Sequence, residues 1–153
     1  MQNAFSVSEQ GMALIKRFEG FSPVAYLCPA GKLTIGYGHV ILDKDIIGRE
    51  ARITEGEGER LLMQDLKPVM EAVNRLVLHE INQNQFDALC SLAYNIGISA
   101  FSASSLLKLV NTAGRGADNA RIIRQFRRWV HAGGKMLPGL KNRREAESDL
   151  FVL

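Results

Sequence analysis

The sequence predicts an α+β fold, mostly α. Six stretches repeat apolar residues at three-four spacing, and between the first two lies a short alternating segment broken by Pro and Gly. The composition, 46% hydrophobic and 23% charged over 153 residues, is that of a soluble chain able to bury a core without disulfide staples. One domain with two lobes is expected.

The first element is a helix. Ser6 and Glu9 have the spacing of a capping box, and Met12, Ile15 and Phe18 follow on one face until Gly20 stops the run. Glu19 closes this helix. Phe18 and Phe21 flank it, an apolar setting that predicts partial desolvation, the condition a general acid needs.

Val24 to Leu27 reads as a short strand, and Cys28-Pro29-Ala30-Gly31 as a tight turn with Pro second and Gly fourth. Leu33 to Val40 is the returning strand. Along it Thr34 alternates onto the same face as Gly36 and Gly38, which leaves room for something bulky to lie against the sheet. Ile41 to Asp45 is polar and turn-like, and Ile46 to Arg52 is a short strand or loop. Thr54 and Glu57 form a second capping box, opening a long helix with Leu61, Leu62, Leu66, Val69, Val73 and Leu76 on one stripe. Pro68 should bend it or remove one backbone bond.

Four helices follow. Asn82 caps the first, which runs through Phe86, Leu89, Leu92 and Ile96 to a stop at Gly97. Leu106 to Val110 form the next, ending near Gly114. The third starts at Asp118 or its neighbour and carries Ile122, Ile123, Phe126, Trp129 and Val130 until Gly133-Gly134 closes it. The last begins at Pro138-Gly139 and runs through Leu140, Ala146, Leu150 and Phe151.

Charge is unevenly distributed. Residues 108–144 hold 10 basic residues and 1 acidic one, against 9 and 12 in residues 1–107. Arg121, Arg124, Arg127 and Arg128 put much of this on one helix face, which suits an anionic polymer. No nucleic-acid reading motif accompanies it, so nucleic acid is not an expected partner. His39 has no second His at ligand spacing, and neither metal nor cofactor is expected. Of the two cysteines, Cys90 sits in an apolar helical pattern and reads as core. Cys28 is a turn thiol, with a bridge to Cys90 as an alternative.

Glu19, eight residues, Cys28, five residues, Thr34, and then Ile35-Gly36-Tyr37-Gly38-His39 together resemble the signature of the phage-type lysozymes, glycoside hydrolase family 24. The family pattern has Asp or Cys at the second position. In weaker form the resemblance covers nearly the whole chain. It implies a lysozyme-like architecture, with a small mixed N-terminal lobe of about residues 1–54, a connecting helix of about 55–76 and a helical lobe of about 77–153. It further implies a muramidase that cleaves the β-1,4 bond between N-acetylmuramic acid and N-acetylglucosamine in bacterial peptidoglycan, for host cell lysis. Glu19 would be the general acid, with Cys28 and Thr34 positioning the attacking water. Direct attack by Cys28, or a lytic transglycosylase route relying on Glu19, are the chemical alternatives. A non-catalytic wall-binding module and chitin cleavage are the functional ones.

By the same resemblance Tyr94 and Asn95 line the saccharide groove, with Ser104 a further candidate, and Arg143 or its neighbour Arg144 approaches Glu19. His39 and Asp65 would form an anchoring ion pair. The N-terminal Met-Gln-Asn-Ala-Phe-Ser lacks the regions of a secretory signal. The chain as written is therefore expected in the host bacterial cytoplasm, as a monomer without stable membrane insertion; if it is complete, the resemblance implies release to the wall through a holin. Some relatives carry an N-terminal signal-anchor.

Overall fold

The computed structural model describes residues 4–43, 45, 47–48, 50–113 and 116–153. Lys44, Ile46 and Arg49, from the stretches read above as a turn and a strand or loop, lie outside the described residues. So does the helix stop expected at Gly114. The chain forms two compact units, Lys16–Pro68 and Met1–Ile15 with Val69–Leu153. Two helices, α1 (Glu9–Glu19) and α2 (Glu55–Leu76), contribute residues to both.

In the Lys16–Pro68 unit, the last turn of α1 leads through Gly20, at φ 70°, into a three-stranded antiparallel sheet of β1 (Ser22–Leu27), β2 (Leu33–Gly36) and β3 (His39–Val40), in that order. Tyr26 pairs with Thr34 and Leu27 with Leu33, and the register shifts between Tyr26 and Ser22. The expected turn forms: the Gly31 amide donates to the Cys28 carbonyl at 2.8 Å, and the Cys28 amide to the Lys32 carbonyl at 2.9 Å. The returning segment is two strands rather than one. Gly36 and Gly38 take φ of 66° and 84°, values that favour glycine, and fold the chain back so that Ile35 pairs with His39.

The glycine face is not open either. A Cβ on Gly36 would lie 3.2 Å from Ile53 Cδ1 and 3.4 Å from Gly58 Cα, so the bulky object against the sheet is the start of α2. Gly58 permits a second close approach, since its Cβ would fall 2.7 Å from Phe21 Cε1. Phe21 itself packs on Tyr37 with ring centroids 5.1 Å apart. Thr54 and Glu57 satisfy each other's amides at 3.0 and 3.1 Å, the predicted capping box. The helix continues through Pro68, with Leu62, Leu66, Val69 and Val73 buried.

His39, 7% exposed, lies between two carboxylates. Its Nδ1 is 2.8 Å from Asp65 Oδ2, and its Nε2 is 3.2 Å from Asp45 Oδ2. The first contact is the expected pair. The second was not anticipated, and Asp45 also accepts the Leu42 amide at 2.6 Å, closing the turn after β3.

The other unit is helical. Its central helix, α3 (Gln83–Ile96), has a full capping box between Asn82 and Gln85, and it is buried continuously from Phe86 to Ala93. Gly97, at φ 97°, ends it. The cap of α1 is Ser8, not the expected Ser6. Its hydroxyl accepts the Gly11 amide at 3.2 Å and donates to the buried Asp87 of α3, which also accepts the Ser8 amide at 3.1 Å and Gln83 Nε2 at 2.8 Å. A partner distant in sequence thus decided which serine caps.

A short helix not expected from the sequence, α4 (Ile98–Ser102), precedes α5 (Ser105–Ala113), and α6 (Asn119–Arg127) is capped by Asp118 as predicted. α6 stops before Trp129. Gly133 and Gly134, both at positive φ, close a two-stranded hairpin of β4 (His131–Ala132) and β5 (Lys135–Met136) instead of ending a helix. Paired left-handed glycines fit a two-residue hairpin turn. α7 (Pro138–Val152) begins where expected, with Pro in its first turn, and packs on α3 and α6. Phe86, Leu89, Leu92, Phe101, Leu106, Ile122 and Phe126 are fully buried in this unit.

Candidate active site

Glu19, Cys28 and Thr34 all belong to the Lys16–Pro68 unit. Glu19 is half-buried at the last position of α1. Cys28 occupies the bend between β1 and β2, and Thr34, 3% exposed, is the second residue of β2.

The bend gives Cys28 its chemistry. Backbone hydrogen bonding from Lys32, and to a smaller extent from Ala30, holds the thiol below its ordinary value, against a smaller opposing effect of desolvation. The Thr34 hydroxyl and the Lys32 charge act in the same direction. These donors face the sulfur because the turn folds the chain around it, and all of them favour thiolate over thiol. The Thr34 hydroxyl has one hydrogen. It reaches the Lys32 carbonyl at 3.0 Å, and an ionised Cys28 competes for it. Lys16, the other cation near the motif in sequence, pairs with Glu59 at 2.9 Å and lies over the Tyr37 ring. Cys28 and Cys90 are both free thiols, so the bridge considered from the sequence is absent. Cys90 is fully buried, as a core residue should be, and burial pushes its thiol well above the ordinary value.

Tyr94, Asn95, Ser104 and Arg143 belong to the helical unit. Tyr94 is half-buried and Asn95 exposed at the end of α3. Asn95 lines a cavity of about 500 Å³ with Ile96, Arg128, Trp129, His131 and Leu140. Ser104 is buried and caps α5, donating to the Phe101 carbonyl at 2.7 Å and accepting the Leu107 amide at 3.1 Å. It also lines a smaller cavity of about 270 Å³ with Gln125, Arg128 and Trp129. Arg128 stands at both cavities and donates to Ser105 Oγ at 2.9 Å.

Arg143 and Arg144 are both buried against one carboxylate, Glu147. Arg143 Nε lies 3.2 Å from Glu147 Oε2, and Arg143 Nη2 donates to the Ser91 carbonyl at 3.1 Å. Arg144 Nε lies 2.7 Å from Glu147 Oε1 at a poor hydrogen-bond angle, and Arg144 Nη2 donates to Oε2 at 3.2 Å. Ser91 Oγ donates to the same oxygen. Burial pushes the Glu147 carboxyl up, while the guanidinium groups of Arg144 and Arg143 oppose the shift.

Sequence reasoning missed Glu147 and Ser91 as partners of the arginine pair, Asp45 as the second carboxylate on His39, and Arg128 and Trp129 as cavity walls. Glu147 was within reach: it stands four residues after Arg143 and three after Arg144, the spacing at which helical side chains meet.

A mostly helical chain with a small antiparallel sheet has the architecture of a lysozyme-type glycosidase. The known proteins it resembles are of that class. The description phage lysozyme fits residues 16–147. The chain is 39% identical over 147 residues to the endolysin of Acyrthosiphon pisum secondary endosymbiont phage 1, covering 95% of this chain and 97% of that one. It is 44% identical to the Bacillus phage PZA endolysin over 95% of this chain, but spans only 54% of that longer protein. Among solved structures, the muramidase domain of SpmX from Asticaccaulis excentricus is 38% identical, with a TM-score of 0.86 over 98% of this chain and 99% of that one. The chain belongs to the phage lysozyme family.

Proposed function

We propose that this chain is a muramidase that hydrolyses the β-1,4 bond between N-acetylmuramic acid and N-acetylglucosamine in bacterial peptidoglycan, with Glu19 as general acid and Cys28 and Thr34 positioning the attacking water. The observation that carries this reading is the bend around Cys28, where backbone amides and a hydroxyl favour the thiolate. A thiol with its ordinary ionisation would be a weak substitute for the aspartate that the family pattern also admits at this position; a stabilised thiolate is a competent base.

Glu19 protonates the glycosidic oxygen as the bond breaks. Cys28 thiolate accepts a proton from the water that attacks the anomeric carbon from the opposite face, while Thr34 orients that water. Glu19 is left ionised and Cys28 protonated, and exchange with solvent restores both. The product is inverted. In the helical unit, Asn95 and Tyr94 supply the amide and aromatic surface that N-acetyl sugars need, and Ser104 borders the adjoining cavity. The basic residues of α6 draw the protein to the anionic wall. The chain works in host lysis, reaching the wall from the host cytoplasm through a holin. No helix among the described residues is long and apolar enough to cross a membrane.

The test is release of reducing ends from purified peptidoglycan by wild type and Glu19→Gln. Loss of at least a hundredfold with an unchanged unfolding midpoint is expected, since general acid catalysis supplies about that much or more. Retained activity would remove Glu19 from the mechanism. Wall binding without reducing ends in the wild type would make the chain a binding module, and anhydro ends among the products would make it a lytic transglycosylase.

A further inference from the structure

One residue at the Cys28 bend has no part in the reading above. Tyr26 lies in β1 directly opposite Thr34 in β2. Residues opposite each other in an antiparallel pair leave the sheet on the same face. Tyr26 and Thr34 therefore share one face of the hairpin, and the Thr34 hydroxyl on that face reaches Cys28 in the adjoining turn. Thr34 is buried, whereas Tyr26 is 40% exposed. The long side chain thus reaches past the threonine into solvent.

Its surroundings fit that placement. Partial burial pushes the phenol up, and the charges of Glu19 and then Cys28 push it further. The phenol therefore keeps its proton at neutral pH, and it lies within electrostatic range of both groups assigned to opposite faces of the scissile bond. An exposed aromatic ring with a polar tip suits a sugar: the ring covers the C–H face and the hydroxyl meets a ring substituent.

We propose that Tyr26 is a substrate-contacting residue of this centre, its ring packing on the N-acetylhexosamine unit attacked by the Cys28-bound water and its hydroxyl hydrogen-bonding that sugar. The proposal rests on the assignment of Glu19, Cys28 and Thr34. It adds a specificity element in the same unit as the reacting groups, so the sugar is registered against them directly.

The experiment measures turnover of purified peptidoglycan by the full chain carrying Tyr26→Phe or Tyr26→Ala, and separately the binding of chitotetraose to the Glu19→Gln protein with and without each change. Tyr26→Phe should lower kcat/KM about fivefold, the worth of one hydrogen bond, and Tyr26→Ala by about a further tenfold as the ring contact goes. Chitotetraose binding should weaken in the same order, with unfolding midpoints unchanged. Tyr26→Ala behaving within twofold of its parent in either assay would overturn the proposal, as would losses that track the unfolding midpoint. The two readings fail separately. An active Glu19→Gln removes the acid assignment, while an inactive Glu19→Gln whose chitotetraose affinity ignores Tyr26→Ala removes only the tyrosine.

Discussion

Gly11 lies so close to Asp87 that a Cβ on the glycine would fall 2.6 Å from the Asp87 carboxyl carbon. The same Cβ would meet Val7 Cγ1 at 2.8 Å. Replacing a helical Gly by Ala ordinarily gains about 1 kcal/mol in helix propensity. Here the sign should reverse. Asp87 is fully buried and fixed by Ser8 and Gln83, so it cannot move aside without breaking those bonds. Gly11→Ala is expected to destabilise the protein by about 1–3 kcal/mol, the usual cost of overpacking. Urea unfolding measures it, and a midpoint equal to or above the wild type would show that the contact relaxes.

That contact also marks the limit of what the sequence could tell. The helices were legible wherever their signals were local: Thr54 with Glu57, Asn82 before α3, Asp118 before α6 and Pro138 at α7 each act within a few residues. The choice of Ser8 over Ser6 was not, because Asp87, 79 residues away, selects it. Gly36 and Gly38 read as spacers in a strand because alternation assumes an extended backbone, and their positive φ values abolish it. Gly133-Gly134 carried both a stop signal and a hairpin signal, and the apolar Trp129 and Val130 favoured the wrong one. At the site, the order of Glu19, Cys28 and Thr34 was readable. The ionisation of Cys28 was not, because backbone amides presented by a turn leave no trace in residue identity.

His39 and Asp65 should be strongly coupled. The imidazole is buried and touches both Asp65 oxygens, at 3.0 and 2.8 Å. A double-mutant cycle with His39→Gln and Asp65→Asn is expected to return a coupling of about 1–2 kcal/mol in unfolding free energy. Asp45→Asn should cost less than Asp65→Asn, since its contact to His39 is longer, at 3.2 Å. A coupling near zero would mean that the sheet holds His39 without its carboxylates.

Glu147 is expected to be the most sensitive polar position in the helical unit. Its removal would take the shared carboxylate from two buried guanidinium groups, and Glu147→Ala should cost about 3–5 kcal/mol, as breaking a buried ion pair does. Ser91→Ala should cost about 1–2 kcal/mol through the hydroxyl shared between Glu147 and Arg143. The exposed Lys16–Glu59 pair is the control, with side chains 26% and 52% accessible, and Glu59→Gln should change stability by no more than about 0.5 kcal/mol. Thermal unfolding of the three variants decides the ranking, and equal losses at Glu147 and Glu59 would contradict it.

The two cysteines should differ sharply in reactivity. Backbone hydrogen bonds lower the Cys28 thiol and burial raises that of Cys90, so Cys28 is the more readily ionised of the two in the folded protein. Because the folded Cys28 value is depressed, its thiolate fraction persists below the ordinary thiol range of about 8.5 and is lost only as pH falls through the lowered value. Iodoacetamide labelling followed by mass spectrometry should show Cys28 modified with a midpoint below that range and Cys90 unmodified until the protein unfolds. Thr34→Val should move the midpoint upward, since the hydroxyl no longer assists the thiolate. Peroxide should oxidise the same thiolate to the sulfenic acid and abolish activity, reversibly with added thiol. Cys28→Asp, which keeps a base but has no sulfur at that position, should resist. A labelling midpoint at the ordinary thiol value, or equal peroxide sensitivity of Cys28→Asp, would show that the bend does not activate its cysteine.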